Sequence, residues 1–389
     1  MNNIKKISIY TFFYILIPIL AVEIFAQYKF NTGYIYDNFG FNKSKSRLKI
    51  LKAGLHEPNL NIINNYKKIY GDPKELKKTI FRTDSYGTIK PSSIERNKTL
   101  INSSIIFCGG STTECVAVPE GERVTDKFTK NTKIPSINAG MSGKGLEGCI
   151  NTINYFLNYV GKPKAIVIAN NANTLPQFIN KGKTSPWMLF TKNLFKKSLP
   201  GIYDFLGNLK PLFNNKNSTL KGNDFSSNQL AYELALSEGC CYGASQINRT
   251  SSSIKFEWSN KENKEGYSKF IKSLGSKLDS TLKRANYPKS KVYFFIEPNS
   301  FLNKNTAGVF DFRQFLFDKN GIKLSGNESA SIIKEYDNKY SETLKKIGFK
   351  ILQINQKDLK DNYFYDAAHL TSDGTSFIAN FYSQYFINN

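Results

Sequence analysis

A serine stands at a strand-to-helix bend in IIFCGGSTTECVAVPEGERV, Ile105 to Val124. A buried apolar run leads into two glycines, and Ser111-Thr112-Thr113-Glu114 then reads as a helix start with a capping pattern. A hydroxyl placed there sits at the C-terminal end of a strand, where open α/β sheets bind ligands and helix N–H groups face any negative charge. Taken alone, the same residues also fit an ordinary capping serine. A serine nucleophile needs a base, and the chain holds only two histidines, His56 and His369. His369 lies in YFYDAAHLTSDG three residues after Asp366, so both side chains can face one side of a helical turn. A carboxylate so placed can fix the imidazole tautomer and stabilise the imidazolium as it takes a proton from the serine.

These residues need a scaffold that brings distant segments to one edge. Strand-like runs occur at Ile105 to Cys108, Ser136 to Ala139, Ala165 to Ala169, Val292 to Ile296 and Phe349 to Ile354. Helical patterns fall at about Leu146 to Tyr159, Lys264 to Arg284, Ser329 to Ile347 and Ser372 to Tyr385. Strands alternating with helices predict a parallel sheet covered on both faces. Residues 28–99 are polar and aromatic and read as a lead-in layer on the main domain. Residues 176–260 break the alternation and read as an insertion, a cap or binding loop. Trp187, Phe190, Phe195 and Tyr203 are its candidate sugar platforms.

Ahead of all this stands ISIYTFFYILIPILAVEIFA, Ile7 to Ala26, interrupted only by Pro18 and Glu23. Its length suits a tilted crossing of the bilayer, and Ile24 spoils a signal-peptidase site ending at Ala26. An uncleaved anchor is expected. Lys5 and Lys6 would hold the N-terminus in the cytoplasm and place everything from about Gln27 outward.

The formal net charge of +23 is carried by scattered lysines and reads as a solvated surface. No nucleic-acid partner is expected. The five cysteines, Cys108, Cys115, Cys149, Cys240 and Cys241, have no C-x-x-C spacing and no nearby histidine, so no metal site is expected. Cys108 and Cys149 read as small apolar fillers, with disulfides possible among the others. Gly143-Lys144-Gly145-Leu146-Glu147-Gly148 matches a dinucleotide fingerprint. That fingerprint needs an acid about twenty residues on. No Asp or Glu occurs between Cys149 and Tyr203, so no cofactor is expected.

Four blocks in order carry a family resemblance. Gly109-Gly110-Ser111-Thr112-Thr113-Glu114, Asn138-Ala139-Gly140-Met141-Ser142-Gly143, Asn171-Ala172-Asn173 and Asp366-Ala367-Ala368-His369-Leu370 resemble the blocks of SGNH hydrolases, also called GDSL esterases. The first block is similar to that of a membrane-anchored subset, as is Ile296-Glu297-Pro298-Asn299, a variant of a strand ending in Gln-Pro near the site. The resemblance covers roughly residues 100–389, the insertion excepted. It implies Ser111 as nucleophile, Asp366 and His369 as its partners, and an oxyanion hole from the Ser111 N–H, Gly143 and Asn173. It implies a three-layer αβα sandwich with a parallel, flavodoxin-like sheet. Block three departs from the family's G-x-N-D, with Asn171 for the glycine and Thr174 for the aspartate.

The expected protein is a membrane-anchored serine esterase with no cofactor, removing O-acyl groups, acetyl foremost, from an envelope or extracellular glycan. Its expected partners are that ester substrate and the lipid bilayer, the latter through residues 7–26. An O-acyltransferase using the same site and a non-catalytic glycan-binding domain are the alternatives.

Overall fold

A computed structural model describes residues 10–29, 45–65, 78–91, 97–180, 198–203, 205–206, 257–298, 326–364 and 369–388. The chain divides into two compact units: Met1–Leu51 with Gly182–Leu234, and Lys52–Lys181 with Ala235–Asn389.

The first unit holds a π-helical turn, Phe12–Leu16, running into helix α1, Ile17–Lys29. The π turn ends two residues before Pro18, which has no N–H for the helical ladder. Phe12–Lys29 is long and apolar enough to cross a membrane. This stretch lies slightly C-terminal to the expected Ile7 to Ala26, and residues 7–9 lie outside the described residues.

The second unit opens with an antiparallel pair, β1 (Asn61–Asn65) and β2 (Lys78–Arg82). Five parallel strands follow: β3 (Ile105–Gly109), β4 (Ser136–Asn138), β5 (Ala165–Ala169), β6 (Val292–Ile296) and β7 (Lys350–Gln353). Their spatial order is β4-β3-β5-β6-β7. Numbered from the first parallel strand, this is the doubly wound order 2-1-3-4-5, whose chain reversal lies between β3 and β5. Ligands in such sheets bind in the crevice at that reversal, outside the carboxyl ends of the strands.

Between and after the strands run α2 (Ser111–Glu114), α3 (Val124–Thr132), α4 (Leu146–Tyr155), α5 (Asn171–Asn180), α6 (Lys261–Arg284), α7 (Gly326–Lys346) and α8 (Ser372–Asn388). The period-two alternation of each strand feeds two cores. Cys108, Ile166, Ile168, Phe294 and Ile296 pack with α4, α6 and α7. Phe107, Val167 and Phe295 pack on the opposite face with α3 and α8. The three-layer expectation is met.

Three features of this unit differ from expectation. The lead-in contains the β1–β2 pair, and Ile89 N–H donates to Asn138 O at 2.9 Å, tying this layer to edge strand β4. Arg123 is fully buried and reaches Lys90 O (2.8 Å) and Ile80 O (3.0 Å), fastening the layer further. Helix α3 was not expected; its lysines, asparagine and threonines mask the Val124 and Phe128 stripe that it buries. Finally, Cys108 and Cys149 are not separate apolar fillers. They form a disulfide with Cα atoms 5.8 Å apart, because the buried face of β3 meets α4 there. Cys240 and Cys241 lie outside the described residues.

Candidate active site

The turn after β3 is dictated by what crowds it. A Cβ on Gly109 would lie 2.1 Å from Ala169 O, and one on Gly110 would lie 1.7 Å from Asn173 Nδ2. Only glycine admits that approach of the β5–α5 junction. Gly110 caps α2 without a side-chain bond, and the first N–H groups of the helix follow it. Thr113 N–H and Glu114 N–H turn back to Gly110 O at 3.2 and 2.9 Å. Helix α2 then stops at Cys115, whose backbone is left-handed (φ 51°). This short helix presents Ser111 at the chain reversal.

His369 Nε2 lies 2.7 Å from Ser111 Oγ. Both residues are buried, 4% and 8% exposed. The histidine is not on a helical turn as the D-x-x-H spacing predicted. It precedes Leu370, which bridges Phe364, and Thr371 N–H donates to Tyr363 O at 3.0 Å. Helix α8 begins only at Ser372. Backbone pairing with residues 362–364 therefore aims the imidazole. Asp366, its expected partner, lies outside the described residues.

Gly143 lies in the β4–α4 loop, with φ +74° and open space where a Cβ would stand. The loop is held against the Ser111 turn at two points: Met141 N–H donates to Gly109 O at 3.0 Å, and Ser142 Oγ donates to Glu114 Oε2. Glu114 is fully buried. Its Oε1 lies 3.0 Å from His56 Nε2, which is also 3.1 Å from Gly140 O. Lys144 Nζ donates to Ala139 O at 2.7 Å, and burial pulls its ammonium down to about 7 against the attraction of Glu114. His56 from the lead-in thus supports the loop that carries Gly143.

Asn173 comes to Gly110, next to Ser111, where its amide can face a developing oxyanion. The altered third block has its own supports. Asn171 Oδ1 accepts from Glu297 N–H at 2.9 Å, and Asn171 Nδ2 donates to Asp337 Oδ1 at 2.8 Å. Thr174 Oγ1 donates to Asn170 O at 2.7 Å and accepts from Leu146 N–H at 3.0 Å. Tyr340 O–H donates to Asn170 Oδ1 at 2.8 Å. Through these hydrogen bonds the side chains of Asn171 and Thr174 hold the loop.

Sequence reasoning named Glu297 only as part of a motif. Its carboxylate accepts from Thr112 Oγ1, next to Ser111, and lies near the Ala172 N–H. Burial raises it to about 7, while Thr112, Ala172 and the nearby His369 favour the charged form. Asp337 is likewise raised by burial to about 7. Helical spacing in α7 gave no sign that Asp337 faces inward. Among the described residues no cluster of three or more His, Cys, Asp or Glu side chains is arranged to hold a metal.

No protein-family model matches the chain, and no curated protein matches it. Solved structures overlap it loosely. A protein named as lipolytic, of the G-D-S-L family, from Desulfitobacterium hafniense DCB-2 is 8% identical with a TM-score of 0.36, over 73% of this chain and 99% of that one. A member of the lipolytic protein G-D-S-L family from Veillonella parvula DSM 2008 is 12% identical with a TM-score of 0.35, over 74% and 99%. The acetyl xylan esterase AlAXEase is 13% identical with a TM-score of 0.33, over 72% and 98%. Overlaps this loose decide neither fold nor chemistry, which rest on this chain's own topology and side chains.

Proposed function

We propose that the chain is a membrane-anchored serine esterase of the SGNH type, facing outward, that removes O-acyl groups, acetyl foremost, from an envelope or extracellular glycan. The observation that carries this reading is the 2.7 Å approach of His369 Nε2 to Ser111 Oγ at the chain reversal of the sheet. His369 takes the hydroxyl proton as Ser111 Oγ attacks the ester carbonyl. The tetrahedral oxyanion is met by the Ser111 N–H, the Asn173 amide and the Gly143 N–H. Collapse expels the glycan hydroxyl, which recovers the proton from His369, and leaves an acyl-Ser111 intermediate. Water, deprotonated by His369, then releases the acid and restores the serine. Asp366 orients His369 in this scheme.

The outward location is supported by the apolar length of Phe12–Lys29, by Lys5 and Lys6 ahead of it, and by the Cys108–Cys149 disulfide, a bond that persists in oxidising compartments. The glycan is inferred from that location and from the resemblance of the four blocks.

A fluorophosphonate probe added to the full chain in detergent is expected to label Ser111. Labelling should be lost in His369→Ala while the thermal transition persists. Acetate released from an O-acetylated polysaccharide, followed by mass spectrometry, should fall by about a thousandfold or more in either Ser111→Ala or His369→Ala. Labelling of another residue, or full labelling in His369→Ala, would overturn the assignment. Transfer of the acyl group to an added sugar acceptor in preference to water would replace hydrolysis with acyl transfer.

A further inference from the structure

Helix α1 is inside out. Its apolar residues are exposed, including Leu20, Val22, Ile24 and Phe25, whereas Glu23, Ala26 and Gln27 are buried. Glu23, Ala26 and Gln27 are three and four residues apart and form one stripe. A segment from the insertion covers that stripe within the same compact unit. Gly201 N–H and Ile202 N–H donate to the two carboxylate oxygens of Glu23 at 2.8 and 2.7 Å, and Gln27 Nε2 donates to Glu23 Oε1 at 2.7 Å. Contact is close enough that a Cβ on Gly201 would lie 2.6 Å from Gln27 N and 2.7 Å from Glu23 O. Tyr203 N–H closes a helical turn onto Leu199 O at 2.9 Å, so the donors to Glu23 come from the start of that turn. Beyond it, Phe205 and Leu206 are exposed.

We propose that residues 198–203, with Phe205 and Leu206, form a second membrane element, lying in the outer interface and docked on the spanning helix through Glu23, with Phe205 and Leu206 among the lipid acyl chains. A carboxylate in a spanning helix needs internal donors, because lipid offers none, and this segment supplies them. The depth also fits. Glu23 lies six residues before Lys29, roughly 9 Å along the axis from the outer end of the helix. Interfacial elements sink about 5–10 Å into the boundary of headgroup and acyl chain. In sequence, Lys196, Lys197 and Lys210 flank the segment, a placement that suits lysines reaching toward headgroups. The insertion is thereby fixed to the bilayer at a second point. This inference rests on the anchor reading of α1.

The test uses the full chain, with Cys240→Ser and Cys241→Ser, reconstituted in vesicles of phosphatidylcholine and phosphatidylglycerol. An environment-sensitive fluorophore is attached at Phe205→Cys. Lipids carrying a nitroxide at a shallow acyl position are expected to quench it about threefold, and deep-position nitroxides less. Gly201→Leu, which cannot approach Gln27, and Glu23→Leu, which removes the acceptors, should each abolish quenching while alkaline carbonate still fails to extract the chain. Extraction of the parent chain by carbonate would remove the anchor reading itself. Resistance to extraction with no quenching, or quenching unchanged in both variants, would overturn the docked segment alone. Protection that depends on protein concentration and not on lipid would show that a second copy of the chain covers Phe205 and Leu206, and would also overturn it.

Discussion

Two buried polar clusters flank the Ser111 turn, and they handle charge in opposite ways. On the β4–α4 side, Glu114 is surrounded by His56, Ser142 and the ammonium of Lys144. On the β5–β6 side, the neutral amide of Asn171 accepts from the Glu297 backbone N–H and donates to the Asp337 carboxylate, and burial raises both acids to about 7. A cation near a buried carboxylate offsets desolvation by Coulomb attraction, whereas an amide supplies hydrogen bonds without charge. In the first cluster the titrating group is a base, Lys144, which burial holds at about 7 against the attraction of Glu114. In the second the titrating groups are acids raised to about 7, so the two sides of the turn should respond to pH in opposite directions.

The largest effect should come from the Glu114 side. Lys144→Met removes the Nζ bond to Ala139 O and leaves Glu114 beside His56 and Ser142, and is expected to cost about 3 kcal/mol in urea unfolding at about pH 9 and less at about pH 6, where the parent carries a buried ammonium that its lowered value disfavours. Adding Glu114→Gln should recover part of that loss, since the remaining amide carries no charge. A Lys144→Met cost that is the same at both pH values would show that Lys144 does not titrate in the fold, and the contrast between the clusters would fail.

On the other side the same kind of change should have the opposite sign. Glu297 is raised from 4.5 and Asp337 from 3.8, so the folded state binds protons more tightly than the unfolded chain. Their contribution is full below the unfolded values and is lost as pH rises through about 7. Glu297→Gln and Asp337→Asn remove that loss. Each is expected to stabilise the protein at pH 8 by about 3 kcal/mol at most, with little change at about pH 4. Melting temperatures across that range provide the measurement. Equal shifts at both ends would mean that titration is not the cause.

The difference between the clusters also marks what the sequence could reveal. The approach of Ser111, His369 and Asn173 to one place was legible because a serine at a strand-to-helix bend, a lone late histidine and an asparagine at a strand end stand in a recognisable order, and the apolar runs located the five parallel strands among the described residues. Short-range signals could not show that His56, from the polar lead-in, lies beneath Gly140, or that Asp337 turns inward from a helix rich in charge. Those contacts join residues 84 and 166 positions apart, and nothing in local periodicity encodes them. The Cys108–Cys149 bond was missed for the same reason: each cysteine fitted its own apolar stripe, and only the packing of β3 on α4 brings the stripes together.

The smallest expected effect on stability sharpens the comparison at its hinge, Asn171. Asn171→Gly removes the acceptor for Glu297 N–H and the donor to Asp337. Unsatisfied buried groups and added backbone freedom together should cost about 1–3 kcal/mol. The consequence for chemistry should be larger than this suggests. Asn173 is two residues on, its amide is packed against Gly110, and a shift of its Nδ2 would weaken the contact with the oxyanion proposed for it. On an acetyl ester substrate, kcat should therefore fall by about tenfold or more with KM little changed, since the lost interaction belongs to the transition state. Asn171→Asp is the discriminating companion. It keeps the acceptor for Glu297 N–H but adds a third carboxyl group to an uncompensated cluster, so its kcat should approach that of the parent at low pH and drop as pH rises through about 7. A flat profile for Asn171→Asp, or a full-strength kcat in Asn171→Gly, would show that the third block is held by its backbone and owes nothing to the carboxylates behind it.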